Sequence, residues 1–525
     1  MAASTSLALV LAVVLCCGCA ATVSAAANSS SGDDFLRCLT AGVPSQLVVT
    51  QGSSSFTSVL ASSVRNPRFL APGTVRPLCV VTPTNASHVQ AAVRCGRRHG
   101  VRLRVRSGGH DYEGLSYRSV RPEVFAVVDL AGVRAVRVNR GAATAWVDSG
   151  ATVGELYYAV AKADPGLAFP AGLCPTIGVG GHFSGGGIGM MMRKYGLSVD
   201  NVLDAMVVDA NGTLLDKKAM GRDYFWAIRG GGGESFGIVL SWKVRLVPVP
   251  RTVTVFNIQK SMDKGAVDAV TKWQTLAPEL PEELTIRVVV QNKQARFQSL
   301  YLGTCDQLLP VMSSKLPELA MTRADCQEMS WLQSMVYING AGTTSTPVEV
   351  LLNRTTSLST YTKNKSDYVK QAISKASWEK IFPWFDGAGA GLIILEPNGG
   401  RVSAIADGDT PYPHRAGVLY NIQYVAFWPT TATAAVPDWI KNVYKFMEPF
   451  VSSNPRAAYV NYRDLDIGEN TVTAGGVTSY ESGRLWGEKY FGAANFRRLA
   501  LTKGKVDAGD YFQNEQSIPP LVTKK

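Results

Sequence analysis

Apolar residues follow two alternating spacings along this chain. Short valine-rich runs bounded by glycine or polar residues predict strands, at residues 78–82, 101–105, 124–128 and 205–209. Between these runs, apolar positions recur every three or four residues, as on one face of a helix, over 86–99 and 154–162. The first predicted helix opens at Ser87 and turns Val89, Ala92 and Val93 inward. Strands mixed with helices in this way favour an α+β or α/β enzyme.

Two prolines, Pro248 and Pro250, mark a boundary after this strand-rich region. Beyond them, the spacing predicts strands at 252–258 and 284–291 and helices at 265–276 and 437–447. The final stretch is rich in aromatic residues. We therefore expect a first domain within 26–248 (dense in strands from about 70), a second domain over 249–459, and a C-terminal segment over 460–525.

The N-terminus has the pattern of a secretory signal peptide. An apolar run from Leu7 to Ala20 precedes the small residues Val23, Ser24 and Ala25, which suit cleavage. The region before the run has no lysine or arginine, which leaves a membrane anchor as the alternative, but the run is too short to span a bilayer comfortably. We predict removal of residues 1–25 and an extracellular or cell-wall location.

Secretion predicts disulfides and glycans. Three of the nine cysteines leave with the signal peptide, and six remain: Cys38, Cys79, Cys95, Cys174, Cys305 and Cys326. The sequence leaves their pairing open. A Cys38–Cys95 bridge would stabilise the fold by about 4 kcal/mol through its long loop, and Cys305 with Cys326 is a candidate second pair. Of the five N-x-S/T sites, Asn28 lies too near the cleavage site, and four are predicted glycosylation sites: Asn85, Asn211, Asn353 and Asn364.

The chain is basic, with a formal net charge of +12, but its charge is dispersed. It has no long basic run and no basic stripe with interleaved aromatics, so we expect no nucleic-acid partner. No later stretch is long and apolar enough to suggest a membrane span. A basic secreted surface would associate weakly with acidic cell-wall polysaccharide. The histidines and cysteines have no metal-binding spacing, and we predict no metal site.

Three glycine clusters are candidates for ligand binding: Ser107–Gly114, Cys174–Gly189 and Gly230–Ser235. Backbone amides can converge on an anion in such segments, and Arg104 and Arg106 add charge before the first. None of the clusters spells a common nucleotide fingerprint, and composition alone favours ordinary turns over ligand binding. His182, within the second cluster, is more simply a loop histidine held by backbone hydrogen bonds than an acid–base group.

Longer motifs carry a family resemblance. The segments Arg104–Tyr117, Phe169–Thr176 and Asn461–Asp466 resemble those of the berberine bridge enzyme-like flavoproteins, within the vanillyl-alcohol oxidase or PCMH-type superfamily. The resemblance runs from Asp34 to Val522, and the two ends of that range are similar to the group 4 grass-pollen allergens. It implies an α+β, two-domain fold. The first domain and the C-terminal segment would bind FAD, and an antiparallel sheet with helices between them would bind the substrate.

The resemblance also implies a bicovalently bound FAD, with His110 bonded to the flavin 8α-methyl group and Cys174 to flavin C6. It leaves Cys79 as a buried free thiol if the other four cysteines pair. The residues predicted to bind the cofactor are His110, Cys174, Arg106, Ser107, Gly108, Gly109, Asp111, Thr176, Ile177, Gly180, Gly181, Ser184, Gly185, Gly186 and Ile238.

The implied reaction is oxidation of a CH–OH group by hydride transfer to flavin N5. The family pattern makes Tyr462 the base, and we expect Gln423 and Tyr112 to orient it and the substrate. Glutamine at 423 argues against alkaloid ring closure, and Ile188 and Asn421 argue against monolignols, because relatives acting on those substrates carry other residues there. Ile177, at the implied oxygen gate, should make the enzyme a dehydrogenase more than an oxidase.

Three hypotheses for function follow. The leading one is oxidation of a carbohydrate hydroxyl, at an anomeric carbon, with an electron acceptor other than O₂. The second is oxidation of an aromatic or allylic alcohol in a flat pocket lined by Tyr112, Tyr424 and Phe427. The third is a flavin-loaded wall or pollen protein whose turnover is incidental.

Overall fold

A computed structural model describes residues 31–355 and 360–522. The predicted signal peptide and Asn28 lie outside the described residues. The strands within the described ranges are β1 (Val48–Thr50), β2 (Cys79–Val81), β3 (Arg102–Arg106), β4 (Phe125–Asp129), β5 (Val136–Asn139), β6 (Thr144–Asp148), β7 (Leu167–Ala168), β8 (Val202–Val208), β9 (Leu214–Leu215), β10 (Ile238–Arg245), β11 (Val247–Pro248), β12 (Val253–Val255), β13 (Asn257–Ser261), β14 (Leu284–Gln291), β15 (Gln294–Tyr301), β16 (Gln327–Met329), β17 (Thr360–Val369), β18 (Leu392–Pro397) and β19 (Tyr420–Pro429).

Helices cover these sheets and connect their strands. They are α1 (residues 31–40), α2 (Phe56–Ala61), α3 (Ala86–His99), α4 (Val153–Ala163), α5 (Val179–Ser184), α6 (Met192–Tyr195), α7 (Lys217–Ile228), α8 (Ala266–Leu276), α9 (Cys305–Lys315), α10 (Trp331–Val336), α11 (Lys375–Ile381), α12 (Gly400–Ala404), α13 (Asp438–Phe446) and α14 (Tyr480–Val506). No helix among the described residues is long and apolar enough to cross a bilayer.

The N-terminal part of the fold contains two principal sheets. One has the strand order β1-β2-β4-β3, and β4 pairs in parallel with both β2 and β3. All five residues of β4 are buried, as is usual for a strand covered on both faces. The other sheet has the antiparallel order β5-β6-β10-β8-β9. The predicted helix at 86–99 is α3. It begins at Ala86 and not at Ser87, and Asn85 caps it by accepting a hydrogen bond from the His88 amide.

A third, larger antiparallel sheet follows, with the order β16-β12-β15-β14-β18-β19-β17 and β13 paired to β15. Its residues alternate between two faces, since successive side chains of a strand point in opposite directions. Ile286, Val288 and Val290 of β14 are fully buried in a core shared with the helices α8, α9, α11 and α13. The intervening residues, including Arg287, therefore point to the opposite face, which borders the cavity described below.

The hydrophobic cores follow the division between the N-terminal sheets and the large antiparallel sheet, and they confirm the two-domain α+β arrangement. One hydrophobic cluster is built from residues between Phe256 and Met447. Another joins β6, β8 and β10 to the aromatic residues of α14, so the end of the chain returns to the N-terminal part. Residues after α14 are buried as well; Glu515 and Ile518 are at most 1% exposed.

Both candidate disulfides are formed. Cys38 bonds Cys95 and ties α1 to α3, and Cys305 bonds Cys326 within the second domain. Cys79 is a buried free thiol, as the resemblance implied, and burial raises its pKa to about 12. Cys174 is also free and only partly buried.

Candidate active site

A cavity of about 400 Å³ lies where the two N-terminal glycine-rich segments meet the large sheet and the C-terminal segment. Cavities of this size suit cofactors and small molecules. Its wall includes His110, Cys174, Gln423 and Tyr462, which are distant in sequence and which the family resemblance assigns to one site. The fold therefore brings the implied attachment residues and the implied catalytic residues together.

The glycines are required because two backbones touch. A Cβ atom on Gly108 would lie 2.3 Å from the amide nitrogen of Gly178, and one on Gly178 would lie 2.2 Å from the amide nitrogen of Gly108. At Gly109, which has φ +70°, a Cβ would collide with the carbonyl of Ser63. Gly181, in contrast, has open space where its Cβ would be and lines the cavity. Gly108, Gly178 and Gly109 therefore fix the shape of the loops, whereas Gly181 leaves room for a ligand.

His110 and Cys174 meet at one hydroxyl group. The Oγ1 atom of Thr176 lies 2.9 Å from Nε2 of His110 and 3.4 Å from Sγ of Cys174. Burial, with a contribution from the charge of Arg65, lowers the pKa of His110 to about 3. The imidazole is therefore neutral and has a lone pair, as a nucleophilic nitrogen requires.

The predicted catalytic residues form a contiguous group. Nε2 of Gln423 donates to the hydroxyl of Tyr112 at 3.0 Å and to Oδ1 of Asn364 at 2.7 Å. The Tyr112 ring meets the Tyr462 ring edge-on, with centroids 6.1 Å apart. Burial raises the pKa of Tyr462 well above its ordinary value; Glu396, Tyr112 and Tyr459 add to this shift, whereas Arg287 opposes it.

Alternation along the large sheet brings in residues that the sequence alone did not single out. Arg287 of β14 and Glu396 of β18 point away from the core, line the cavity and form an ion pair. Arg463 joins the cavity from the C-terminal segment, and its Nε lies 3.1 Å from the carboxylate of Asp111. The period-two pattern of β14 and β18 could have identified Arg287 and Glu396, had the direction of the cavity been known.

Most residues predicted to bind the cofactor line this cavity. They are Ser107, Gly108, Gly109, His110, Asp111, Cys174, Ile177, Gly180, Gly181, Ser184 and Gly185. Thr176 contacts both attachment residues. His182 is held by a backbone hydrogen bond, as predicted, because its Nε2 accepts from the Gly172 amide, but it lies on α5 and not in a loop.

The structure places three of the predicted residues outside the cavity lining. Arg106 is fully buried behind the loop, where its guanidinium binds Asp129 and the carbonyls of Val59 and Leu60. The side chain of Ile238, on β10, packs in a hydrophobic core, whereas the adjacent Gly237 and Val239 line the cavity. Gly186 faces Tyr412 and Tyr459 and also lies outside the lining.

Two further predictions are corrected. Asn364 is fully buried at the site, so the folded protein has no room for a glycan there; Asn85, Asn211 and Asn353 are exposed. The flat aromatic pocket does not form, because Tyr424 lies in the core on the other face of the sheet and Phe427 is 43% exposed, away from the cavity. Of the three proposed aromatic walls, only Tyr112 lines the site.

Comparison with known proteins decides the family. A model of the FAD binding domain matches residues 77–217, and a "berberine and berberine like" model matches residues 458–519. The chain is 59% identical over 490 residues to the berberine bridge enzyme-like protein Cyn d 4 of Cynodon dactylon, covering 93% of both chains. The chain belongs to the berberine bridge enzyme-like family of FAD-binding oxidoreductases. Berberine bridge enzyme-like 28 of Arabidopsis thaliana is 47% identical over 95% of this chain and 96% of that one.

Solved structures agree with this family and fold. Wild-type Phl p 4.0202, described as a glucose dehydrogenase, matches with a TM-score of 0.91 at 56% identity, covering 93% of this chain and 100% of the other. A variant of Phl p 4 with an isoleucine replaced by valine matches equally well and is described as a glucose oxidase. These activities are those of Phl p 4.

The residues of this berberine bridge enzyme-like protein fit an FAD group. Gly181 lies in the cavity wall and has open space where a Cβ would stand, which allows close approach of a flat or phosphorylated ligand to the backbone. Among the described residues no group of three or more histidine, cysteine, aspartate or glutamate side chains is placed to hold a metal ion.

Proposed function

We propose that this protein is a secreted dehydrogenase that holds FAD through covalent bonds from His110 and Cys174 and oxidises a hydroxyl of a carbohydrate at its anomeric carbon. The observation that carries the proposal is the meeting of His110 and Cys174 at the Thr176 hydroxyl, in the wall of a cavity that also contains Tyr462. A neutral imidazole and a partly exposed thiol are the two nucleophiles that such attachment requires.

FAD would supply the redox chemistry by accepting a hydride from the substrate. The protein's own residues then bind the substrate and accept the hydroxyl proton. Tyr462 is the proposed proton acceptor, and Gln423 orients Tyr112 beside it through the 3.0 Å hydrogen bond. Because Asn364 accepts a second hydrogen bond from the same Gln423 amide, the amide cannot rotate without losing both contacts.

A sugar substrate is supported by charged and polar side chains in the cavity wall and by the relatives. The large sheet contributes Arg287, Glu396 and Gln423 to the wall, which can bind several hydroxyl groups. Phl p 4, at 56% identity, is described as a glucose dehydrogenase. The alternative, an aromatic alcohol, is not favoured, because Tyr424 and Phe427 lie outside the cavity lining.

An acceptor other than O₂ is supported by Ile177, which lies in the cavity wall. An isoleucine-to-valine change separates the Phl p 4 oxidase from the Phl p 4 dehydrogenase. Secretion is supported by the two disulfides, which form in oxidising compartments. Within this proposal, residues 1–25 are the signal peptide, 26–248 with 460–525 bind FAD, and 249–459 bind the substrate.

Acid precipitation of the protein, expressed through a secretory pathway, tests the attachment. We expect the yellow colour to stay with the precipitated wild-type chain and with the single variants His110→Ala and Cys174→Ala, and to be released from the double variant. Release from the wild type would contradict the bicovalent bond. Anaerobic mixing with glucose should bleach the flavin. If no sugar or alcohol does so, the third hypothesis, a flavin-loaded wall protein, replaces the enzyme.

A further inference from the structure

Charged residues flank the two tyrosines of the site and pair with one another. Tyr112 lies between Asp111 and Glu113, and Tyr462 is followed directly by Arg463. Nε of Arg463 lies 3.1 Å from Oδ2 of Asp111. Asp111, Arg463 and both tyrosines line the cavity. This ion pair therefore joins, beside the rings themselves, two segments that are far apart in the sequence.

A second connection links the same two segments through the large sheet. Nζ of Lys363 binds the carboxylate of Glu113 and lies 2.8 Å from Oδ1 of Asp464. Oε1 of Glu113 also accepts a hydrogen bond from the amide of Leu465 at 3.3 Å. Because the residues on both sides of Tyr112 are tied to the C-terminal segment, the turn that carries this tyrosine is held at two points.

Asp111 also shapes that turn. Its Oδ1 accepts hydrogen bonds from the amides of Glu113, at 2.8 Å, and Leu115, at 3.2 Å. An aspartate that accepts from the backbone two residues on stabilises a turn in this way. Its other oxygen, Oδ2, is the one near Arg463. One carboxylate therefore couples the conformation of the Tyr112 turn to the position of the C-terminal segment.

The arginine is a fixed point for this coupling. Its side chain is only 10% exposed, and its Nη2 lies 2.6 Å from Oε1 of Glu234, in the third glycine cluster. The rings of Tyr112 and Tyr462 meet edge-on, with centroids 6.1 Å apart, and the Tyr112 hydroxyl accepts from Gln423. A displacement of about 1 Å in a catalytic group can slow a reaction about 100-fold. Proton transfer at Tyr462 therefore requires that these segments keep their relative position.

We propose that Asp111 and Arg463 are positioning residues, whose ion pair fixes Tyr112 and Tyr462 relative to each other for proton transfer. The inference rests on the proposed function and deepens it, because it assigns the placement of the base to a charge pair between two distant segments. The alternative is that each charge contacts the ligand independently, and the kinetics of single and double variants distinguish the two.

Asp111→Asn is a selective variant, since the asparagine Oδ1 can still accept both amides of the turn while the charge beside Arg463 is lost. We expect the limiting rate of anaerobic flavin reduction by glucose to fall by about 10- to 100-fold. The dissociation constant for glucose should stay within about threefold of the wild-type value. The flavin should remain with the acid-precipitated chain, and the rate should still increase with pH because Tyr462 is present.

Arg463→Gln should show the same division between rate and binding. If the two residues act through one pair, Asp111→Asn should slow reduction no further in the Arg463→Gln background, whereas two independent ligand contacts would give multiplying effects. Either single variant decides the matter if the other does not fold.

The matched control is Asp209→Asn. Oδ1 of Asp209 accepts the amides of Asn211, at 2.9 Å, and Thr213, at 2.8 Å, in the same spacing as Asp111, but Asp209 lies outside the cavity lining. Its variant should reduce at the wild-type rate. The inference is overturned if a folded Asp111→Asn or Arg463→Gln keeps the wild-type limiting rate, if weaker glucose binding accounts for the loss, or if the two effects multiply. Failure of every sugar to reduce the wild-type flavin would instead remove the proposed function, and the inference with it.

Discussion

At the scale of single residues, the site depends on side chains whose ordinary chemistry is altered by burial. His110 is neutral because burial lowers its pKa to about 3. Tyr112 and Tyr462 hold their protons more tightly than a free phenol, and the pKa of Tyr112 is raised to about 12. A tyrosine with a raised pKa is a stronger base once ionised but is rarely ionised at neutral pH.

This argument predicts a steep pH dependence for Tyr462. Below the pKa of the tyrosine, its ionised fraction rises about tenfold per pH unit. We therefore expect the rate of flavin reduction to increase with pH through the neutral range without levelling off. Tyr462→Phe should slow reduction by about 10²- to 10⁴-fold and remove this dependence, with the flavin still attached. Stopped-flow reduction between pH 6 and 9 measures both effects, and an unchanged rate in the variant would exclude the base role.

The gate prediction concerns Ile177, which lies in the cavity wall and packs partly against the core. Ile177→Val removes one methyl group and opens space beside the proposed flavin position. We expect faster reoxidation of the reduced flavin by O₂, while its rate of reduction by sugar stays the same. Mixing the reduced enzyme with aerated buffer measures the reoxidation rate, and equal rates in the two proteins would contradict the gate.

At the scale of elements, the least expected strand is β17. Its residues Lys363, Asn364, Lys365, Ser366 and Asp367 are polar, yet each is at most 3% exposed. The two lysines are satisfied by carboxylates from other segments: Lys363 binds Glu113, Asp464 and Asp466, and Lys365 binds Asp464 and Asp466. This buried ion network joins the first glycine-rich loop, the large sheet and the C-terminal segment.

The network predicts a large effect from removing one partner. Lys363→Met leaves Glu113 with Arg118, at 3.7 Å, and Asp464 with Lys365 as their remaining counter-charges. Loss of one partner of a buried pair costs up to about 3–5 kcal/mol. We expect a clearly lower urea midpoint for the variant. Lys375→Met is the control, since Lys375 pairs with Asp268 on the surface, where both side chains are 54% exposed, and its midpoint should not change. Equal midpoints for the two variants would show that the network does not stabilise the fold.

At the scale of the whole molecule, buried histidines predict sensitivity to acid. Burial lowers the pKa of His414 to about 3 and that of His182 to about 4. In the unfolded chain both titrate near 6.5. Between these values the unfolded state binds protons that the folded state does not. The free energy of unfolding should therefore have its full value above about pH 6.5. It should fall as the pH decreases, by about 1.4 kcal/mol per pH unit for each histidine.

His414 is the better probe of this effect because it lies outside the cavity lining. Its ring stacks on Tyr368 at 3.8 Å and contacts the carbonyl of Ala458. His414→Gln cannot take up a proton at this position in the folded or the unfolded state. Its free energy of unfolding should therefore fall less steeply between pH 6.5 and 4, by the contribution of one histidine, whatever its stability at neutral pH. Denaturant midpoints across that range measure the slope, and parallel curves would contradict the assignment.

Prediction from the sequence succeeded where local pattern and family motifs carried the information. The period of apolar residues located α3 and β14 to the residue, and the motifs selected His110, Cys174, Gln423 and Tyr462, which all line one cavity. It did not anticipate that the side chains of Arg106 and Asn364 are fully buried. The position of Arg106 beside the glycine loop suggests a cofactor contact, and the N-x-S/T motif at Asn364 suggests a glycan. Both readings assumed an exposure that the fold does not provide.

The sequence by itself determined the family, the elements and the residue types that the chemistry needs, because these depend on local spacing and on uninterrupted motifs. Tertiary structure alone decided which of those residues meet. Arg287 and Glu396 are separated by more than a hundred positions, and only the pairing of β14 with β18 makes them an ion pair in the cavity wall. Burial, charge pairing and the side of a sheet on which a residue lies are properties of the whole packed chain, and no local pattern encodes them.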